Sequence, residues 1–184
     1  IKVGMNAGMD DPFGVDQGGG SSSAIIHPEG KVIELNGHEM ISTGYANMTP
    51  WLAPRDISEE ALFEKIESMA SQLKEPHKSI FNIHPPPYNS GLDMAPKIDS
   101  ELRPVTVSGV PVMEAAGSKA VRKIIEKYQP MLGLHGHIHE SRGARKLNGT
   151  LIVNPGSDCD KGILRGALFI IEGGKILSYM LTSG

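Results

Sequence analysis

The chain has 184 residues, 39% apolar and 21% charged, with a formal net charge of -3. That length suits one domain with one buried core, and the slightly acidic balance excludes a dominant nucleic-acid-binding surface. A single cysteine, Cys159, excludes a disulfide framework, and no run approaches the roughly 18 apolar residues of a membrane span, so a cytoplasmic protein is expected.

Ile1-Lys2-Val3 reads as a short strand running into the Gly/Pro-punctuated loop Asn6 to Pro12. Residues 18–23, Gly-Gly-Gly-Ser-Ser-Ser, read as a flexible linker. Ala24 to His27 and Lys31 to Leu35 predict strands, and Asn36-Gly37 a two-residue hairpin turn into a third strand, His38 to Ser42. Leu62, Ile66, Met69, Ala70 and Leu73 recur at helical spacing, which predicts a helix from about Ser58 to Leu73 with Asp56 as its cap.

Ile80 to Ile83 predicts a short buried strand stopped by Pro85-Pro86-Pro87, so His84 hangs at its carboxyl end. The stretch from Tyr88 to Ala116 is long, Pro-rich and weakly periodic. It reads as a lid, a binding surface or a contact between two copies in a homodimer, with Lys97 and Arg103 offered to a phosphate. Ser118 caps a helix carrying Ala120, Val121, Ile124, Ile125 and Tyr128, ended by Pro130. Met131 to Leu134 is the next strand, and it ends in His135-Gly136-His137-Ile138-His139-Glu140. Strand–helix–strand order favours a parallel crossover with ligands outside the carboxyl ends of the strands, and both histidine clusters lie at such ends. Ala144 to Leu147, Thr150 to Val153, Ala167 to Ile171 and Lys175 to Leu181 complete a β-rich tail with turns at Asn148-Gly149 and Gly173-Gly174.

Four of the seven histidines thus sit at two strand ends beside Gly or Pro, where imidazole can face a cavity and bind a borderline metal. His137 and His139, at i and i+2, point to one side of an extended segment. His135 shares their parity and reads as a core or outer residue. Asn154 and Ser157 hold the loop facing the site, while Glu140 and Arg142 orient ligands or form a surface ion pair. Cys159, between Asp158 and Asp160, is a poor nucleophile because neighbouring carboxylates raise a thiol's pKa. His27, His38 and His77 read as surface residues, and the nine methionines as core filling.

Asn82-x-His84-Pro85-Pro86, Gly136-His137-x-His139 and Asn154-Pro155-Gly156-Ser157, in this order and separated by a helix, resemble the calcineurin-like metallophosphoesterase family. The resemblance covers most of the chain from about Lys31 onward. It implies an α/β fold, a four-layer α/β/β/α sandwich with mixed sheets, and two divalent metal ions (Mn, Fe, Zn or Ni) between strand ends. His84 and His137 would bind one ion and His139 the other. Two such ions about 3.5–4 Å apart polarise phosphoryl oxygens and lower the pKa of the attacking water. The implied activity is metal-dependent phosphoester hydrolysis, and the implied substrate is a small phosphodiester or nucleotide.

The family's Asp-x-His and Gly-Asp motifs do not occur in this sequence, and its Gly-Asn-His-Asp motif survives only as Gly8-Met9-Asp10-Asp11-Pro12. Met9 stands for the ligand Asn and Asp10 for the catalytic His, with Asp11 as an outer ligand. A thioether is a poor ligand for hard divalent ions. Asn6 would serve only in a register shifted by three residues. The chain therefore reads as one metallophosphoesterase-like domain over 1–184 lacking its first strands, and its start at Ile1 points to a segment of a longer polypeptide. The alternative is an inactive scaffold of the same fold that binds protein partners, as a retromer subunit does.

Overall fold

The computed structural model describes residues 3–18 and 25–184. In chain order its strands begin with β1 (Val3–Gly4), then a short helix α1 (Val15–Gly18), β2 (Ile25–Ile26), β3 (Val32–Leu35), β4 (His38–Thr43), β5 (Ala46–Asn47) and β6 (Asp56–Ile57). Helix α2 (Glu59–Ala70) leads to β7 (Ile80–Ile83), and the segment before the next helix holds β8 (Met94–Pro96), β9 (Thr106–Val107), β10 (Val110–Pro111) and β11 (Met113–Ala115). Helix α3 (Lys119–Tyr128) is followed by β12 (Leu132–Leu134), β13 (Gly143–Leu147), β14 (Thr150–Asn154), β15 (Arg165–Glu172) and β16 (Lys175–Ser183).

Six strands form one mixed sheet in the order β13-β14-β12-β7-β4-β3. The four inner strands run parallel, and β13 and β3 close the two edges antiparallel. The Asn36-Gly37 turn takes positive φ at both residues, which matches the twist of a tight hairpin. Side chains alternate across the sheet. Ile41, Phe81, Ile83 and Ile152 face α2 and α3 and pack with Leu62, Ile66, Val121, Ile124 and Ile125. Met40, Ile80, Leu132, Leu151 and Val153 face the opposite way, toward the β15–β16 hairpin, where Ala167, Phe169, Ile171, Ile176 and Leu181 meet them. The inner strands are apolar on both faces because both faces are covered.

Among the described residues the architecture is α/β, with helices on one face of the mixed sheet and a two-stranded hairpin on the other. Among the described residues no helix is long and apolar enough to cross a membrane.

Several expectations shift. The cap of α2 is Ser58, whose side chain accepts from Ala61 N at 3.2 Å, and α2 ends at Ala70. Asp56 is occupied elsewhere, as described below. The Ile25–Ile26 strand pairs in parallel with Val3–Gly4 instead of joining the β3–β4 hairpin. The long segment 88–117 carries two small antiparallel pairs, the β9–β10 hairpin lying in sequence between the strands of the β8–β11 pair. Apart from Gly18, the Gly/Ser segment lies outside the described residues, as do Ile1 and Lys2.

Candidate functional site

Parallel pairing brings the carboxyl ends of β4, β7, β12 and β14 to one edge of the sheet; His84 follows β7, His135, His137 and His139 follow β12, and Asn154 ends β14. His84 continues β7, with its backbone N–H donating to Thr43 O at 3.0 Å. His135 continues β12, donating from its backbone to Val153 O at 2.8 Å, and Gly136 N donates to His84 O at 2.9 Å. Beyond Gly136 the chain turns sharply, because His137 adopts φ 64, a left-handed conformation that is strained for a residue with a Cβ. This turn lays the His137 ring beside that of His84, with centroids 5.4 Å apart. The next two residues carry His139 out to an exposed position.

The Asn-Pro-Gly-Ser motif holds this turn from behind. Asn154 is fully buried; its amide donates to Ile138 O at 2.8 Å and Leu92 O at 3.4 Å, and its carbonyl accepts from Gly156 N at 2.9 Å. Gly156 has φ 71, and a Cβ there would lie 2.9 Å from His139 O, so only glycine lets the two loops touch. Ser157 contributes through its backbone, donating to His139 O at 3.2 Å.

Burial keeps these imidazoles neutral. His84 is pushed down to about 4, first by desolvation, then by the neighbouring His137 and His139, against a small opposing pull from Asp11. His137 is lowered by the same burial, opposed by Asp56 and Asp10. Its Nδ1 is buried without a hydrogen-bond partner. His135 is buried and lowered to about 4 by desolvation, and its Nδ1–H donates to Ile83 O at 2.9 Å. His135 is therefore a clamp between strands.

The loop from Asn6 to Asp16 crosses the open end of the sheet above His84. The register inferred from sequence shifts here. The position facing His84 is Gly8, where a Cβ would lie 3.4 Å from Cε1 and 3.7 Å from Nε2 of the ring. Met9 instead packs in a buried cluster with Ala46 and Ala53. The Asp11 carboxylate accepts from Gly8 N at 2.8 Å and shapes the loop, while Asp10 is exposed. Asn6 Oδ1 is buried without a partner.

Two further residues organise the site, Arg55, which the sequence did not single out, and Asp56, which it offered only as a helix cap. Arg55 is fully buried and donates to Asp11 O at 3.0 Å and Pro12 O at 3.3 Å. It also meets Asp16 at 3.0 Å and lies over the rings of Phe13 and Tyr45, so one side chain fixes the whole Asp11–Asp16 turn. Asp56 accepts from Thr49 N at 2.8 Å, from Ala53 N at 2.9 Å and from the Thr49 hydroxyl, which rigidifies the loop carrying Met48 to Trp51. The segment 88–117 is pinned similarly. Buried Asp93 accepts from Asn89, Ser90, Gly91 and Gly117 backbone N–H groups, and the Ser141 hydroxyl exchanges two 2.8 Å bonds with the backbone of Met94.

The imidazoles are split between two hollows. His84 and His135 border one of about 360 Å³, with Asn6, Gly8 and Asn82. His137 and His139 border a cleft of about 390 Å³, together with Asp10 and Glu140. Lys97 and Arg103 do not line it; they pair with Glu114 at 3.9 Å and Glu101 at 2.5 Å. Arg142 turns away and donates to Thr182 O at 3.2 Å on the β15–β16 hairpin. Cys159 and His77 are exposed, whereas His27 and His38 are half-buried. Met9, Met40 and Met69 fill core, but Met5, Met48, Met113 and Met180 are exposed.

The fit to a divalent cation is partial. A buried, unpartnered imidazole nitrogen beside a second neutral imidazole suits a borderline metal. Yet among the described residues no three His, Cys, Asp or Glu side chains converge to hold one ion. A Cβ at Gly8 would lie 3.4 Å from the His84 ring and 3.7 Å from an Asp11 carboxylate oxygen, so Asp11 is a carboxylate beside this imidazole.

No family model matches the chain. Uncharacterized protein MJ1162 of Methanocaldococcus jannaschii is 32% identical over 137 residues, 73% of this chain and 55% of that protein, so the chain spans about half the length of this relative. One crystal structure superposes with a TM-score of 0.69 at 18% identity, covering 99% of this chain and 65% of its own. TT1561 of Thermus thermophilus does so with a TM-score of 0.50 at 16% identity, covering 88% of this chain and 59% of its own. These likenesses show a shared α/β fold.

Proposed function

We propose that this chain carries the histidine side of the active site of a metal-dependent phosphoester hydrolase, a phosphodiesterase of the calcineurin-like metallophosphoesterase type with its four-layer sandwich. The observation that carries this reading is His137: a strained backbone places its buried, unpartnered nitrogen beside His84, itself held neutral. Strain and an unsatisfied buried donor–acceptor are retained where a ligand uses them. His84, His137 and His139 would hold two divalent ions, Mn, Fe, Zn or Ni, and Asp11 and Asp10 are carboxylates of this chain that act on His84 and His137. Such ions supply Lewis acidity and a water of lowered pKa.

The chain's own residues do the rest. Asn154 and Gly156 keep the His137–His139 turn in place, and Asp11 and Arg55 keep the Asn6–Asp16 loop over His84. Asp10, exposed at the cleft, would pass a proton from water to a departing alkoxide. The test is hydrolysis of bis(p-nitrophenyl) phosphate with added Mn²⁺ by the chain and by His137→Ala. A loss of at least a hundredfold supports the assignment; equal rates end it.

The second reading, an inactive scaffold for protein partners, is favoured by the lack of a three-ligand group among the described residues. It predicts no histidine-dependent turnover and no tight Mn²⁺ binding by calorimetry.

A further inference from the structure

The cleft beside His137 and His139 has a chemistry of its own. Its lining combines Met48, Pro50 and Trp51 from the loop after β5 with Pro96, Ile98 and Pro104 from the 94–115 segment. Trp51 is 49% exposed and Met48 52% exposed, although both belong to a loop stapled down by the Asp56 carboxylate. A rigid loop that presents an indole to solvent at the mouth of a cleft offers a stacking surface at little entropic cost. The ionisable residues lining the cleft, apart from its two histidines, are Asp10, Glu114 and Glu140; no Lys or Arg lines it among the described residues. Glu114 has Lys97 at 3.9 Å, and Asp10 and Glu140 have no cationic partner among the described residues.

Resting on the hydrolase reading for the position of the phosphate, we propose that this cleft seats the esterified organic group of the substrate. It selects an uncharged planar group, of nucleoside or aryl kind, carrying no second phosphate. The volume of about 390 Å³ is at the lower end of small-molecule sites. A planar ring lies against the Trp51 indole and the lining prolines. A further phosphate along the same group would meet carboxylates with no cation to offset them, and like charges brought together across an interface are strongly disfavoured.

Trp51 is the only tryptophan, so its emission reports the cleft directly. The experiment titrates the full chain in Mn²⁺ buffer with adenosine 5′-monophosphate, ribose 5-phosphate and adenosine 3′,5′-bisphosphate, following Trp51 fluorescence and, independently, heat of binding. The monophosphate should quench Trp51 saturably and bind about tenfold more tightly than ribose 5-phosphate, within the range of base–aromatic stacking. The bisphosphate, whose second phosphate sits on the group held in the cleft, should bind more weakly than the monophosphate, and Glu140→Gln should narrow that difference. By calorimetry, Trp51→Ala should remove the monophosphate's advantage over ribose 5-phosphate, and Met48→Ala should reduce it. Equal affinity for the first two probes, unchanged Trp51 emission at saturation, a bisphosphate that binds as well as the monophosphate, or no binding of any probe would overturn the proposal. The two readings fail separately. Histidine-dependent turnover of bis(p-nitrophenyl) phosphate without this selectivity leaves the hydrolase and removes the cleft's role. The selectivity without turnover does the reverse.

Discussion

Asn154 is the residue whose removal should be felt most sharply at the site, and its effect can be worked from its three bonds. Asn154→Ala withdraws the donor from Ile138 O and Leu92 O and the acceptor from Gly156 N, in a position of zero exposure. Ile138 O keeps only the 3.3 Å bond from Ser141 N, and half-buried Gly156 N loses its acceptor, at a combined penalty of roughly 1–3 kcal/mol. The 3.4 Å bond to Leu92 O adds little. A loss of about 2 kcal/mol follows, equivalent to a fall in Tm of roughly 4–8 °C for a domain of this size. The assay is urea unfolding followed by far-ultraviolet circular dichroism, which needs no site ligand. Asn154→Asp sharpens the test. It keeps the acceptor for Gly156 N but sets a carboxylate oxygen against the Ile138 carbonyl, so its folded-state pKa must rise above the ordinary carboxylate value. A raised folded pKa means that its deficit shrinks as pH falls and grows as pH rises through the carboxylate range. An Ala variant within about 1 kcal/mol of the parent, or an Asp variant whose deficit ignores pH, would refute the view that this amide holds the histidine turn.

Arg55→Met should destabilise by about 1–3 kcal/mol, since it removes the cation that Asp16 pairs with and frees the part-buried carbonyls of Asp11 and Pro12; limited proteolysis should then cut within residues 11–16, and protection equal to the parent would contradict this. His84 and His135 are both held near pH 4, below the 6.5 of free imidazole, so the unfolded chain takes up protons first as pH falls. Stability should therefore be level above about pH 6.5 and drop toward pH 4, by up to roughly 3 kcal/mol for each group. His135→Asn, which keeps a donor for Ile83 O, should flatten that slope in urea titrations at several pH values; an unchanged slope would assign the acid sensitivity elsewhere. Gly8→Asn should tighten Mn²⁺ binding by calorimetry at least fivefold, because a side chain built at that position starts 3.7 Å from His84 Nε2; unchanged binding would place the metal away from His84.

The parts of the fold that were legible are those set by local rules. The sheet strands carry continuous apolar runs because both of their faces are covered, and the two long helices carry their caps and their periodicity within a few residues. The misplaced cap on α2 shows the limit of such rules. Asp56 and Ser58 are both good cap residues by type, and only the tertiary demand of Thr49 and Ala53 for an acceptor decides that Asp56 is spent on the preceding loop. Separation in sequence hid Arg55 for the same reason, since its partners lie more than 35 residues away in a turn with no regular pattern. Nor does alternation along the chain reveal that β13 and β14 join the six-stranded sheet while β15 and β16 form a hairpin of their own.

At the site, histidines following parallel strands could be placed together before any coordinates, because parallel register carries carboxyl ends to a common edge. The loop from Asn6 to Asp11 could not be aligned in that way. A loop has no periodicity, so its register against His84 rests on which backbone atoms its neighbours leave room for. Gly44 decides it: a Cβ there would sit 1.8 Å from Ala7 O, so the loop can pass the end of β4 only at this height. With Ala7 pinned over Gly44 and Arg55 N donating to Met9 O at 3.1 Å, Met9 is turned into the cluster with Ala46 and Ala53 and Gly8 is left facing the imidazole. The residue opposite His84 is thereby the one without a side chain. That places the test of metal binding at a single atom, the Cβ that Gly8 lacks.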